Sequence, residues 1–295
     1  MKSCSNVKIR RARPLLGTIV DVQCSASDRN TVTCGIDAAF AAVEKVHQLM
    51  SFHHPESDVS RINRDAFRKP VEVHPWTWCV LKCAQQIAYE SDGVFDITVA
   101  PLLVKWNLLP RNDWQVDPDA TWRDIVLEKH CTVRFRRRLI VDLGGIAKGF
   151  AVDRAAESLR LAGVSSGIVN AGGDLRVFGS TLRNIHLRKP AEPARAAGIV
   201  KLRNRAMATS ALYFSRRNWR GVKVSSLLDG RTRRALTDFI SVTVAAPECM
   251  VADALSKIVF ALREKVRPLL IRHRADALLL ERDGCASSIF SSHAA

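Results

Sequence analysis

The sequence predicts an α+β fold, a mixed α/β arrangement in a single domain. Three observations carry this. Helix-like and strand-like segments are interspersed, without the strict strand–helix alternation of a doubly wound sheet. The 295 residues are 47% apolar, which suits one large core or two modest ones. No Pro- or Gly-rich linker and no internal repeat divides the chain.

The elements follow in order. Residues 15–23, "LLGTIVDVQ", are rich in β-branched side chains and read as a strand. In 36–50, Ile36, Phe40, Val43, Val46 and Met50 form a helical stripe. The polar stretch "SFHHPESDVSRINRDA" reads as a loop, and a second helix covers 76–91. "RLIVDLGG" (138–145) reads as a strand running into glycines, and 147–163 as a helix stopped by Gly163. "SGIVNAGGDLRVFG" (166–179) is strand, glycine turn and strand. "RAMATSALYFS" and "ISVTVAAP" are extended, helices cover 249–263 and 266–274, and "DALLLERDG" closes as strand and turn.

The net charge of +16 would attract nucleic acid, a membrane surface or a phosphorylated ligand. Aromatic and basic residues do not interleave, and no helix-turn-helix, zinc-finger or RNA-recognition signature appears, so a nucleic-acid partner is not expected. Eight cysteines are too sparse for a disulfide scaffold and show no zinc spacing; they read as thiols in a reducing compartment. The N-terminus lacks an apolar signal core, and no run of about 18 apolar residues occurs, so a cytoplasmic protein without a membrane span is expected.

Three segments carry possible chemistry. In "VDLGGIAKGF" (141–150), Asp142 precedes two glycines that lead into a helix, with Lys148 in its first turn. Unpaired N–H groups at such a corner suit an anion, although neither a Walker loop nor G-x-G-x-x-G is present; packing alone also explains a Gly-Gly corner. "NAGGDLRVFG" (170–179) reads as a hairpin. In "GVFDITVAPLLVKW" (93–106), Asp96 and Thr98 alternate with Phe95, Ile97 and Val99, so strand geometry would place the polar pair on one face.

Together these stretches resemble one family, the FAD:protein FMN transferases, or ApbE family, over about residues 11–284. "PLLGTIVDV" resembles its opening Met-Gly-Thr strand, and "HHPESDVSRIN" its Tyr-x-x-x-Ser-x-x-Ser-x-x-Asn loop. "GVFDITVAPLLVKW", "VDLGGIAKGFAVD", "NAGGDLRVFG", "ATS" at 208–210 and "SVTVAAP…ADAL" match further motifs in order. The resemblance implies an ApbE-like domain over 11–284, with mixed sheets flanked by helices, between a basic tail (1–10) and a C-terminal tail (285–295). It implies FAD as substrate, Mg²⁺ as cofactor, and transfer of FMN to a Thr or Ser hydroxyl of a partner flavoprotein, by a monomer or dimer. By position, Leu16, His53, Val94, Phe95, Asp96, Asp142, Lys148 and Leu227 would contact FAD. Gly145 and Asp253 would hold the metal.

The sequence departs from the family at the chemistry. The family's Ala-Asp-Ala-Leu-Ala-Thr places a metal-ligating threonine four residues after the aspartate; here Lys257 stands there, opposite Asp253. An ammonium has no lone pair for a cation, so the catalytic pair becomes Asp253 and Lys257, with the lysine offering fixed charge to the pyrophosphate. An exposed i,i+4 ion pair is the competing reading. In "SSLLDGRTRRA" (225–235), Ser226 replaces the family's candidate base histidine, Gly230 a proline and Arg233 a glycine. His53 replaces an aromatic residue and Leu16 a methionine. Two functions follow: a divergent FMN transferase, or a non-catalytic relative that binds FAD or another dinucleotide as a carrier or assembly partner.

Overall fold

Residues 6–212, 216–238 and 240–290 are described by a computed structural model of the chain. Eight strands form one sheet: β1 (Val7–Leu15), β2 (Thr18–Ala26), β3 (Ser166–Ala171), β4 (Asp174–Phe178), β5 (Ala206–Ala211), β6 (Ser241–Ala246), β7 (Asp276–Leu280) and β8 (Ala286–Ile289). Their order in the sheet is their order in the chain. Every neighbouring pair is antiparallel, in place of the mixed pairing the resemblance suggested, because each strand returns beside its predecessor. The α+β class is borne out.

The helices are α1 (Arg29–Met50), α2 (Asp58–Asp65), α3 (Pro75–Glu90), α4 (Ala100–Lys105), α5 (Ala147–Leu161), α6 (Cys249–Leu262) and α7 (Arg267–Arg272). α5 packs on β3 and β4, α6 on β5 and β6, and α1 lies against α5. Val22, Val169, Ala208 and Val244 from the strands join Ile36, Phe40, Ala151, Leu255 and Ile258 from the helices in one apolar core. The opposite side of the sheet is covered by a hairpin, Arg183–Arg188 with Ala196–Leu202. There Leu175, Val177 and Met207 meet Ile185, Leu187 and Leu202.

Several sequence expectations change. β1 begins at Val7, inside the expected basic tail, and Val7–Arg10 pair with Gln23–Ala26 of β2. β8 similarly lies within the expected C-terminal tail and pairs with β7. Both segments form ladders because each completes an edge of the sheet. The last three residues of the extended stretch 205–215 lie outside the described residues, as do 1–5 and 291–295.

The polar "loop" after α1 contains α2, whose N-cap Ser57 accepts from Ser60 N–H at 3.0 Å. Residues 139–143 carry no regular secondary structure and belong to no sheet. The Asn63 side-chain amide substitutes for a neighbouring strand: it accepts from Val141 N–H at 2.8 Å and donates to Val141 C=O at 2.9 Å. The alternating stretch at 96–99 is a 3-10 turn rather than a strand. Asp96 Oδ1 accepts from Thr98 N–H (2.8 Å) and Thr98 Oγ1 (2.7 Å), and this local capping overrides the alternation.

Candidate functional site

The site is built where α5 crosses α6. Gly149 makes the crossing possible. A Cβ there would lie 2.3 Å from Cys249 C=O and 2.8 Å from Met250 Cα, so the two helices approach too closely for any side chain. Asp153, one turn further along α5, accepts from Cys249 N–H (3.0 Å) and Met250 N–H (2.9 Å), the first turn of α6, and also holds Arg176. α6 is therefore pinned at its start, and Asp253 on its next turn faces back into α5.

Asp253 is fully buried, at 0% exposure. Its Oδ2 accepts from Gly149 N–H at 3.1 Å and lies 3.5 Å from Lys148 Nζ. Its Oδ1 is held by Lys257 Nζ, which also donates to Asp253 C=O at 2.8 Å. Lys148 makes a second ion pair, with Asp174 Oδ2 at 2.5 Å. Two carboxylates and two ammonium groups thus form one cluster. Burial alone would raise the Asp253 pKa, but Lys148 and Lys257 outweigh it and hold the carboxyl below its usual range. Burial likewise opposes the charge on Lys148, and Asp174 and Asp253 overcome it, so that its pKa is raised.

This cluster forms the floor of a cavity of about 340 Å³, at the small end of the range for ligand pockets. Lys148 and Lys257 reach it; Asp253 lies beneath them and does not. The glycine corner forms one wall. A Cβ on Gly145 would lie 3.4 Å from the Phe95 ring and 3.8 Å from Lys257 Cε, so corner, aromatic ring and lysine are immediate neighbours. The competing surface reading of the 253–257 pair is excluded.

Most sequence-predicted residues converge here. Val94, Phe95, Asp96, Asp142, Gly145, Lys148, Leu227 and Lys257 all line the cavity, and so does Ser226. Leu16 does not line it. Leu16 sits in the β1–β2 turn at φ 56°, a left-handed conformation uncommon for leucine. Exposed His53 also lies off the cavity wall, but its imidazole is near enough to Asp142 to favour the charged carboxylate. That effect is outweighed: burial raises the Asp142 pKa above its usual value, although Oδ2 accepts from Gly144 N–H at 3.1 Å. Burial also raises Asp96, against the opposing pull of its Thr98 hydrogen bonds and of Arg233.

Residues that sequence reasoning did not assign to the site include Asp174, Asn63 and Asp153. Asp174 lies at the start of β4, just after the Gly172–Gly173 turn that was legible as a hairpin; its pairing with Lys148 is a long-range contact. Asn63 ends the Ser-x-x-Ser-x-x-Asn run, a motif whose role as a backbone clamp on 141 only the fold reveals. No histidine lines the cavity among the described residues.

The residues do not fit a divalent cation. Both Asp253 oxygens are taken by donors, and the position of the second expected ligand carries an ammonium. No group of three or more His, Cys, Asp or Glu side chains suited to a metal exists among the described residues.

A family model described as "ApbE family" matches residues 16–279. Among curated relatives, the FAD:protein FMN transferase of Vibrio cholerae is 29% identical over 273 residues, covering 84% of this chain and 80% of that protein. The Treponema pallidum FAD:protein FMN transferase is 26% identical, covering 92% of this chain and 84% of that one. Among solved structures, the ApbE protein of Thermotoga maritima superposes with a TM-score of 0.84 at 26% identity, covering 98% of this chain and all of that one. The Vibrio cholerae flavin transferase ApbE gives 0.79 at 25% identity, with 98% of each chain covered. With its glycine corner, its hairpin and its α5–α6 crossing all inside the matched span, the chain belongs to the ApbE family.

Proposed function

We propose that this protein is a FAD:protein FMN transferase that binds the FAD pyrophosphate over the Lys148–Lys257 floor and passes FMN to a Thr or Ser hydroxyl of a partner flavoprotein. The observation that carries the reading is the placement of two lysines beside the 144–148 corner in a cavity whose lining also includes the apolar Val94, Phe95 and Leu227 and the carboxylates of Asp96 and Asp142. Positive charge suits linked phosphates, and the apolar wall suits a flat ring. The names of the relatives support the same reaction.

In the transfer, the acceptor hydroxyl oxygen attacks the flavin-side phosphorus. The P–O bond to the bridging oxygen breaks, and its electron pair leaves with AMP. Such a step calls mainly for positioning and for neutralising charge on the phosphoryl oxygens. Lys148 and Lys257 supply that charge. The hydroxyl proton goes to Asp142, a cavity carboxylate whose raised pKa makes it a better base than an ordinary aspartate. Ser226 occupies the family's histidine position at the cavity but has no basicity at neutral pH.

Purified protein, FAD and a candidate flavoprotein with a Thr or Ser acceptor test the reading. The expected result is release of AMP together with an FMN mass gain on the acceptor, both lost in Asp142→Asn. Retention of unmodified FAD, with no AMP after long incubation, would assign the protein to the carrier function instead. A cytoplasmic location belongs to the same proposal, and no helix among the described residues is long and apolar enough to cross a membrane.

A further inference from the structure

We propose that Lys257 is a built-in cation that takes the place of a metal ion, so that this protein engages its pyrophosphate ligand without a divalent cation. The ligand's identity rests on the flavin reading above; the exclusion of metal does not.

Four observations support this. Asp253, the carboxylate a metal would need, is fully buried beneath Lys257 and does not reach the cavity. Its Oδ1 is bound by Lys257, and its Oδ2 by Gly149 N–H and by Lys148 at 3.5 Å, so every approach is taken by a donor. Lys257 Nζ is further fixed by Asp253 C=O at 2.8 Å, which anchors the ammonium on its own helix, one turn along. Its side chain retains 15% exposure and lines the cavity beside Gly145.

Charge arithmetic points the same way. Lys148 and Lys257 contribute +2 and Asp174 and Asp253 contribute −2, with Asp142 as a further carboxylate on the cavity wall near Lys148. A divalent ion placed beside these two ammonium groups would be repelled by both at short range, where a partly buried site screens them poorly. A linked diphosphate above the cluster instead meets lysine ammonium groups that need no recruitment from solution. Lysine is a fixed point charge suited to phosphate oxygens.

The experiment has two separable arms. In the first, Mn²⁺ binding is titrated by electron paramagnetic resonance, without flavin, on the wild type and on Lys257→Thr and Lys257→Ser. The wild type should bind no Mn²⁺ at this site, and the shorter hydroxyl variants should gain a site that Asp253→Asn abolishes. Stoichiometric Mn²⁺ binding by the wild type, lost in Asp253→Asn, would overturn the proposal. So would hydroxyl variants that keep the wild-type circular dichroism and gain no Mn²⁺ site. In the second arm, FAD affinity is measured by fluorescence quenching in EDTA and in millimolar Mg²⁺. The wild type should change less than about twofold, whereas Lys257→Thr should bind about tenfold more weakly in EDTA and recover with Mg²⁺, a tenfold change being one charge-assisted contact. A wild-type affinity that collapses in EDTA would also overturn it. Absence of FAD binding under every condition would sink the flavin reading alone, and the Mn²⁺ arm would still decide the role of Lys257.

Discussion

Replacing Asp253 by asparagine removes the charge at the centre of the α5–α6 crossing while keeping its shape. The amide oxygen can still accept from Gly149 N–H, now 3.1 Å from Oδ2. Two ammonium groups lose their shared counter-ion. Lys148 keeps Asp174 at 2.5 Å, so the main loss falls on Lys257. Breaking a buried ion pair by removing one partner costs about 3–5 kcal/mol. Lys257 is 15% exposed and can turn its ammonium toward the cavity, which places the expected loss at the lower end, about 3 kcal/mol. The sign with pH follows from the lowered carboxyl pKa. Its contribution is present above the unfolded aspartate value and is lost as pH falls through the folded value, so the difference between wild type and variant should shrink on acidification below about pH 4. Urea unfolding followed by tryptophan fluorescence reads both quantities. A loss under about 1 kcal/mol at pH 7 would refute the claim that this carboxylate is a buried ion-pair centre.

The remaining predictions concern the frame around the site. Gly149→Ala should lower the Tm sharply, because a methyl 2.3 Å from Cys249 C=O forces the helices apart; overpacking of this kind costs about 1–3 kcal/mol or more. His74 caps α3 by accepting from Trp76 N–H at 3.0 Å, and burial lowers its pKa. The cap needs the neutral ring, so its contribution is present above the unfolded histidine value and is lost as pH falls through the folded one. His74→Ala should therefore cost about 1 kcal/mol at pH 8, and the cost should fall as the medium is acidified through the folded-state value in the same urea assay. Burial raises the Cys24 thiol to about 11 and the Cys83 thiol to about 12, whereas Cys34, Cys79 and Cys285 are exposed. Iodoacetamide at neutral pH should label these three ahead of Cys24 and Cys83, read by peptide mass mapping; early labelling of Cys83 would contradict the burial argument.

Much of this fold was legible because its signals are local. The apolar stripe of α1, the glycine turn between β3 and β4 and the run of α6 are all set by periodicity or turn chemistry. The misreadings are equally physical. Residues 138–143 have a strand's composition but no partner strand; one asparagine side chain from α2 satisfies the backbone at 141. Residues 96–99 alternate like a strand, yet Asp96 caps its own following turn. The site residues were found through motif order rather than residue chemistry, and Asp174 was not assigned to the site because its partner lies 26 positions away. A sequence window cannot show that Lys148, Asp174, Asp253 and Lys257 share one charge balance. That follows only from the crossing that Gly149 permits.

The departures from the family pattern bear on whether the site is decaying or rebuilt. A decaying site would leave uncompensated charges and strained backbone behind. Here Arg233, at a position where the family has glycine, adopts φ 57°, a conformation that costs a non-glycine residue about 1–2 kcal/mol. Its guanidinium offsets this by donating to Ala120 C=O at 2.8 Å and Thr98 C=O at 3.2 Å, tying the 225–235 segment to the cavity wall. Gly230, at the family's proline, lets the same segment pass so close that a Cβ would lie 2.3 Å from Gly93 C=O. Lys257 is matched by a carboxylate with no exposure. The substitutions at 230, 233 and 257 therefore each come with a structural partner that makes them fit. Coordinated compensation of this kind favours a pocket maintained for a ligand, with its positive charge carried by the protein rather than by an ion.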